Sequence, residues 1–363
     1  MRNITWLMAA TALLALSACG KPAADAGADG TKTLTMGPAT EELMKTARDQ
    51  FKIIPASYKE IEGNTATEAQ IALGSMLYHD PRLSSSHTIS CASCHNIGLG
   101  GGDNESTSIG HKWQMGGRNA PTVLNAVFNT AQFWDGRAKD LHEQAGGPLV
   151  NPIEMNTTKE HVIEQLTSIP GYAAAFTAAF PGTKDGITLP NVQTAIAAFE
   201  STLITPNSKF DQYLAGNAQA LDVKQKDGLK LFIDKGCSAC HNGVNLGGNM
   251  YAKFGVVAAP DSKYRPVGDK GREAVTKQVT DEYSFKVPTL RNITLTAPYF
   301  HTGSVWDLKE AVRVMGQAQL GAELTEQEVD KITAFLETLK GDQPKVQVPV
   351  LPESGPNSKT PER

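Results

Sequence analysis

The chain is poor in cysteine, in long apolar runs and in clustered positive charge. Only five cysteines occur in 363 residues, which leaves little room for a disulfide framework. No stretch approaches the roughly 18 uninterrupted apolar residues that a membrane-spanning helix needs. The formal net charge is −4 and the lysines and arginines form no basic run. This charge balance argues against nucleic acid as a partner.

Four of the five cysteines lie in two short motifs, Cys91–His95 and Cys237–His241, which share the pattern Cys-x-x-Cys-His. The pattern is typical of covalent c-type haem attachment, because two thiols one helical turn apart can bind one porphyrin and the next imidazole can reach its iron. Zinc or redox dithiol sites are the alternative. Zinc would need two neighbouring pairs, whereas 146 positions separate these motifs and each ends in His. We therefore expect two haem c groups, attached at Cys91, Cys94, Cys237 and Cys240 and ligated by His95 and His241.

The fifth cysteine, Cys19, follows an apolar stretch that begins at Ile4 and ends at Leu16. The segment Leu16-Ser17-Ala18-Cys19 is typical of a lipoprotein cleavage box. Residues 1–18 are therefore predicted to be a signal peptide, and Cys19 to be lipidated. Ordinary cleavage after Ala18, which would leave a free thiol, is the alternative. Export to the periplasm agrees with the haem motifs, because bacteria attach c-type haem outside the cytoplasm.

Composition divides the rest of the chain. Residues 19–45 are rich in Ala, Gly, Asp and Thr, which predicts a flexible tether. Residues 342–363 contain five prolines, which exclude a regular helix and predict an extended tail that either trails in solvent or wraps over the body. The length between these ends predicts two domains, 46–204 and 205–341, with a boundary near Pro206.

Three segments recur in the same order, which indicates an internal duplication. Gly74–Asp80 precedes the first haem motif, as Gly228–Asp234 precedes the second. Two further pairs recur at an offset of 167 residues, namely Pro121–Asn125 with Pro288–Asn292 and Asp140–Glu143 with Asp307–Glu310. We therefore expect two tandem cytochrome c-like haem domains, with the haems near the domain interface.

Apolar residues recur mainly at helical spacing. Thr67 and Gln70 predict a capping box at the start of one helix. Further helices are predicted at Val192–Leu203, Trp306–Met315 and Thr325–Leu339, while the alternation typical of strands is scarce. The fold class is therefore predicted to be mainly α.

The second axial position of each iron decides the function. Electron-transfer haems are usually closed by Met or His, whereas a catalytic haem must be able to open this position. Spacing alone leaves the ligands open. The candidates are His111, His142, Met115 and Met155 in the first domain, and Met250, Met315 and His301 in the second.

Longer motifs carry a resemblance to a known family. The segments Gly110–Gln114, Asn119–Asn125, Phe133–Arg137 and Glu154–Asn156, together with Gln144 and Pro288–Asn292, resemble the bacterial di-haem cytochrome c peroxidases over residues 50–341. The resemblance implies a periplasmic enzyme that reduces hydrogen peroxide to water. It implies that electrons come from a small soluble cytochrome c or a cupredoxin, enter at the C-terminal haem and pass to the N-terminal haem. It also implies a homodimer.

The resemblance further implies the ligands of both irons. His111 would be a displaceable distal ligand opposite His95 at the peroxidatic haem, and Met315 would close the high-potential haem opposite His241. This division agrees with ligand chemistry, because a thioether favours Fe(II) and raises the potential, whereas two imidazoles lower it.

Catalytic and calcium-binding residues are implied in the same way. Glu154 would be the general acid–base, Gln144 would hold the peroxide by hydrogen bonding, and Trp134 would lie on the electron path between the haems. The Asn119 side chain and the backbone carbonyls of Thr296 and Pro298 would bind calcium, a hard cation that prefers oxygen ligands.

Two rival functions remain open. A non-enzymatic di-haem electron-transfer cytochrome, with both irons permanently closed, gives no role to Glu154 or Gln144. A di-haem oxidase that modifies another protein is the second rival. Oxidases of that kind resemble this family but place a tyrosine where Met315 stands, so Met315 argues against this rival.

Overall fold

The computed structural model describes residues 38–61, 63–184 and 186–362. The signal peptide, the lipidation site Cys19 and residues 19–37 of the predicted tether lie outside the described residues. Within the described ranges, no helix combines the length and the apolar character needed to cross a membrane.

Helices dominate the described part of the chain, as the sequence predicts. The first half contains α1 (Pro38–Gln50), α2 (Glu68–His79), α3 (Cys91–Cys94), α4 (Leu141–Val150), α5 (Lys159–Ser168), α6 (Pro170–Ala179) and α7 (Leu189–Ser201). The second half contains α8 (Lys209–Leu214), α9 (Val223–Asp234), α10 (Glu273–Thr276), α11 (Leu308–Leu320) and α12 (Glu326–Glu337). The strands form two short antiparallel pairs, β1 (Glu60–Ile61) with β2 (Asn64–Thr65) and β3 (Tyr251–Lys253) with β4 (Ser284–Lys286). The predicted fold class is confirmed.

The recurring glycines of the duplicated segments lie where two helices cross. A side-chain carbon at Gly74 on α2 would overlap the carbonyl oxygen of Ala195 on α7, and one at Gly228 on α9 would overlap the carbonyl oxygen of Lys331 on α12. Each pair of helices can therefore approach backbone to backbone only because the position is glycine. The same helix crossing occurs in both halves, and in each half the glycine-bearing helix precedes the haem motif.

The segments at offset 167 also fold alike. Asn125 and Asn292 both adopt positive φ, at 61° and 60°, which asparagine tolerates better than most residues. Their side-chain amides donate to the same hydroxyl, Oγ1 of Thr205, at 2.8 Å each. Asp140 and Asp307 then cap α4 and α11. The predicted duplication is thus visible in the backbone, and its two copies meet near the chain segment that joins them.

The structure corrects two boundaries. Helix α1 begins at Pro38, so ordered structure starts before the end of the predicted 19–45 tether; Met44 and Ala47 are buried and hold this helix on the body. Helix α11 continues to Leu320, so Met315 lies within the helix and does not end it. Gly321, with φ at 62°, supplies the left-handed residue that ends the helix.

The proline-rich tail wraps over the first half. Nη1 of Arg82 donates to the carbonyl oxygen of Pro352 at 2.8 Å, and the amide of Lys359 donates to Oε1 of Gln165 at 2.9 Å. Val346 packs against the hydrophobic core of the first half. Of the two arrangements that the sequence left open for the tail, the structure shows wrapping.

Candidate active site

Both Cys-x-x-Cys-His motifs fold into one tight turn. The amide of His95 donates to the carbonyl oxygen of Cys91 at 2.9 Å, and the amide of His241 donates to that of Cys237 at 3.0 Å. These i to i−4 bonds bring both thiols and the imidazole of each motif to one side of a single turn. Burial raises the pKa of Cys94 and of Cys237 to about 11, which favours the neutral thiol at both positions.

The two motif imidazoles are held in their neutral form. Burial lowers the pKa of His95, and lowers that of His241 to about 4. Nδ1 of His241 donates to the carbonyl oxygen of Leu246 at 3.1 Å, which fixes the tautomer and leaves Nε2 without a proton. A neutral imidazole with a free Nε2 is the form that binds iron.

Each motif borders its own cavity. The first cavity, of about 340 Å³, is lined by Cys94 and His95, and the second, of about 240 Å³, by Cys237, Cys240 and His241. Within the described ranges, no three His, Cys, Asp or Glu side chains are grouped to hold one ion. The two cysteine pairs are thus separate. Two haems require this separation, whereas one shared zinc ion would need both pairs close together. The second cavity has two thiols and a neutral imidazole at its wall, and the first has Cys94 and His95 at its wall with Cys91 one turn before Cys94. This arrangement fits a haem c in each half.

Glu154 and Gln144 both line the first cavity. Gln144 lies on α4, and Glu154 lies in the turn that follows this helix. Nδ2 of Asn151 donates to Oε1 of Glu154 at 2.7 Å and orients the carboxyl group. Burial raises the pKa of Glu154, while the Arg137 guanidinium and the Asn151 hydrogen bond oppose the rise. A carboxyl group that faces the cavity and whose pKa is raised by burial is suited to take up and release a proton there.

His111 is buried beside this cavity and is not one of its lining residues. Its amide donates to the carbonyl oxygen of Glu154 at 2.8 Å, and its Nδ1 lies 3.3 Å from Oγ of Ser85. Nε2 of His111 is buried and has no hydrogen-bond partner among the described residues. The structure therefore brings His111 to the segment that carries Glu154, with one ring nitrogen available.

Trp134 lines both cavities. Its Nε1 donates to the carbonyl oxygen of Asn119 at 2.9 Å, which fixes the plane of the indole. Nearby, Arg118 bonds to Asp135 at 2.8 Å and to Asp269 at 2.7 Å, so a partly buried ion-pair network ties the two halves together at this point. The indole is thus a rigid aromatic group between the two haem cavities.

The remaining ligand candidates separate by position. Met315 and His301 line the second cavity, whereas Met250 does not. In the first half, Met115 is 65% exposed and Met155 belongs to the hydrophobic core. The structure therefore leaves Met315 and His301 as the two candidates for the second axial ligand of the haem at His241. The ring of His301 stacks on Phe285 at 4.2 Å between centroids, and burial lowers the pKa of His301 to about 4.

The residues predicted to bind calcium, Asn119, Thr296 and Pro298, all line the second cavity. Nδ2 of Asn119 donates to the carbonyl oxygen of Glu105 at 2.8 Å, so the amide oxygen points away from that bond and can accept a cation. Calcium binding at these residues stays a prediction.

Comparisons with known proteins agree with this geometry. The family model "Di-haem cytochrome c peroxidase" matches residues 68–219, and the model "Cytochrome c" matches residues 225–340. The chain is 55% identical to the cytochrome c551 peroxidase of Pseudomonas aeruginosa, over 86% of this chain and 91% of that protein. The chain belongs to the di-haem cytochrome c peroxidase family.

Two further comparisons extend the likeness. The cytochrome c551 peroxidase of Nitrosomonas europaea is 51% identical, over 83% of this chain and 88% of that protein. The crystal structure of a MauG-like protein associated with microbial copper homeostasis superposes with a TM-score of 0.71 at 29% identity, over 80% of this chain and 94% of that one. As a di-haem peroxidase, the protein is an enzyme that carries two haem c groups and acts on hydrogen peroxide. This membership rules out the rival function of a non-enzymatic electron carrier.

Haem c, when bound, would supply iron that can transfer electrons and bind peroxide. Sequence reasoning gave no individual role to several charged residues that line the two cavities, and Arg137, Glu200 and Lys286 are among them. Arg137 and Glu200 line the first and Lys286 lines the second. Glu200 closes the apolar run Ala195–Phe199, which signals burial but not which cavity the side chain borders. No pattern around Lys286 separates it from an exposed strand lysine.

Proposed function

We propose that this peroxidase divides its work between the two cavities, with catalysis in the first and electron entry at the second. One asymmetry carries the proposal. The first cavity is lined by Glu154, Gln144 and Arg137, whereas no Asp or Glu of the described residues lines the second, which Met315 and His241 both border. Among the described residues, a carboxyl group that could move a proton therefore lines only the first cavity. The Trp134 indole lies between them and offers the electron path.

Reduction of one hydrogen peroxide to two waters consumes two electrons and two protons. Glu154 would move a proton from the near oxygen to the departing oxygen, and Asn151 would hold its carboxyl group in position. Gln144 would donate a hydrogen bond to the peroxide as charge develops on it. His111 must stay clear of the cavity while peroxide is bound, and its position beside the cavity is compatible with that requirement.

We propose a small soluble cytochrome c as the donor, with a cupredoxin as the alternative. Two relatives at 51% and 55% identity are named for cytochrome c551, which supports a donor of that kind. The predicted signal peptide and Cys19 support a lipid-anchored location in the periplasm. A homodimer remains a proposal from the family resemblance.

We also propose that calcium binds between the halves, at Asn119, Thr296 and Pro298. All three lie at the wall of the second cavity, and Asn119 accepts the Trp134 hydrogen bond through its backbone. A cation there would order the segment that carries the indole. Amide and carbonyl oxygens are ligands that calcium prefers.

The division of labour is tested with a double variant, Cys237→Ala with Cys240→Ala, that cannot attach the second haem. The proposal expects loss of peroxide-dependent oxidation of reduced cytochrome c, while a small-molecule reductant still supports turnover at the first haem. Absorbance would report one haem per chain. Undiminished turnover with the cytochrome would contradict entry at the second haem. The same assay with a reduced cupredoxin compares the two donors.

A further inference from the structure

Lys286 is a buried lysine at the wall of the second cavity. It is 6% exposed, lies on β4, and borders this cavity without bordering the first. Its backbone amide donates to the carbonyl oxygen of Trp134 at 2.7 Å. The lysine is thus fixed at the junction of the two halves, on the side of the haem held by His241.

No carboxylate of the described residues pairs with the Lys286 ammonium, and the side chain makes no hydrogen bond within those ranges. The neighbouring charges are already matched, since Arg118 binds both Asp135 and Asp269 and Lys270 pairs with Glu282. Burial lowers the pKa of Lys286 to about 8, so the group still carries its proton at pH 7. A buried charge without a partner costs free energy unless something bound in the cavity offsets it.

The duplication sharpens the observation. Position 286 corresponds to position 119 at the offset of 167 residues, and the first copy has the neutral Asn119 there. The two residues make equivalent backbone bonds, because the amide of Asn119 donates to the carbonyl oxygen of His301 at 2.8 Å. The copies therefore share a backbone arrangement and differ in charge. Only the second copy places a cation at this point.

We propose that Lys286 is an electrostatic positioning residue that raises the reduction potential of the second haem. A haem in this cavity brings two carboxylates, and its iron loses one unit of positive charge when it accepts one electron from the donor. Lys286 offsets the carboxylates and, as a cation in a low-dielectric cavity, favours the reduced form. The lysine thereby helps to make the second haem the site that receives electrons. This inference rests on the proposed division of labour.

The test is a potentiometric titration of the holo-protein, with the two haems followed separately by their absorbance. Lys286→Gln removes the charge, and Lys286→Met removes it while keeping the length of the side chain, so that at least one variant should fold. Lys286→Arg keeps the charge. Lys253→Gln, on the neighbouring strand β3 and exposed, is the matched surface control.

We expect the neutral variants to shift the one-electron equilibrium of the second haem about tenfold toward the oxidised form, or about 59 mV. The midpoint of the first haem should be unchanged in every variant. The midpoint of the second haem should stay close to the wild-type value in Lys286→Arg and in Lys253→Gln. An unchanged second-haem midpoint in a neutral variant with two attached haems would overturn the inference. The double cysteine variant addresses electron entry separately, because it does not depend on this potential.

Discussion

The rings of Trp134 and His301 lie 6.1 Å apart in an edge-to-face arrangement. These residues occupy equivalent positions of the two copies, at the offset of 167 residues. Each accepts a backbone hydrogen bond from the other copy, Trp134 from Lys286 and His301 from Asn119. The duplication has therefore placed one aromatic ring from each copy at the junction of the two haem cavities. Together with the Arg118 ion pairs to Asp135 and Asp269, this ring contact lies where the two halves meet.

Removal of His111 should open the first cavity permanently. We expect the fully oxidised His111→Ala protein to react with peroxide without prior reduction, roughly tenfold or more faster than the oxidised wild-type protein, because no imidazole can close the iron. Stopped-flow absorbance of the oxidised proteins measures this rate. His161→Ala, on α5 and bordering neither cavity, is the control. Equal rates for His111→Ala and wild type would mean that His111 does not gate the cavity.

Met315 and His301 compete as the second ligand of the haem at His241. We expect Met315→Leu to change the absorbance spectrum of the second haem and to lower its midpoint, because the thioether that favours Fe(II) is lost. His301→Leu should leave the spectrum of that haem intact. Spectra and potentiometric titration of both holo-proteins decide between them. The opposite pattern would assign His301 as the ligand.

Calcium should stabilise the segment between the two halves. Chelation is expected to lower both the unfolding temperature and the turnover number, because an ion bound only by the folded protein stabilises it by mass action. Calcium should restore both, whereas Mg²⁺ should not, since it demands a smaller octahedral site. Asn119→Ala should abolish the effect of calcium on unfolding temperature and turnover. Asn217→Ala, at an exposed position, should leave this effect intact. Chelation without effect on stability, turnover or haem spectra would count against this site.

Glu200 should make stability depend on pH. It is 5% exposed on α7, and burial raises its pKa from 4.5 to about 8. The folded protein therefore keeps this proton where the unfolded chain loses it. The resulting stability is fully present below about pH 4.5 and is lost as the pH rises through about 8.

In the Glu200→Gln variant the glutamine side chain cannot ionise, so this dependence of stability on pH should disappear. At pH 9 we expect the free energy of unfolding of the variant to be higher than that of wild type by about 4 kcal/mol. At pH 4 the two free energies should differ little. Denaturant unfolding of the holo-proteins at both pH values measures it. Glu160→Gln, at an exposed position of α5, controls for charge removal. Parallel pH profiles for Glu200→Gln and wild type would refute the assignment.

The sequence predicts what depends on local pattern and repetition. The haem motifs, the capping box at Thr67 and the duplicated segments each carry their information in a few adjacent residues. The end of α11 is mispredicted because Gly316, directly after Met315, resembles a helix stop signal. In the structure Gly316 lies inside the helix and packs against Leu324, and Gly321 ends the helix.

Charge burial needs the tertiary structure. Lys286 and Glu200 look like ordinary polar residues beside apolar neighbours, and only the fold shows that each borders a haem cavity. The same holds for the bond between the His111 amide and the Glu154 carbonyl oxygen, which joins segments more than forty positions apart. Such contacts join segments that are distant in sequence, so they depend on the tertiary packing.

The central claim is that Glu154 performs proton transfer at the first haem while the second supplies an electron. The direct measurement is stopped-flow absorbance of holo-protein reduced by one electron per molecule, with calcium present, after mixing with hydrogen peroxide. We predict rapid re-oxidation of the second haem in wild type and in Glu160→Gln, and a rate about 10²- to 10⁴-fold lower in Glu154→Gln with unchanged haem content. An undiminished rate in Glu154→Gln, or no re-oxidation in wild type, would contradict the account.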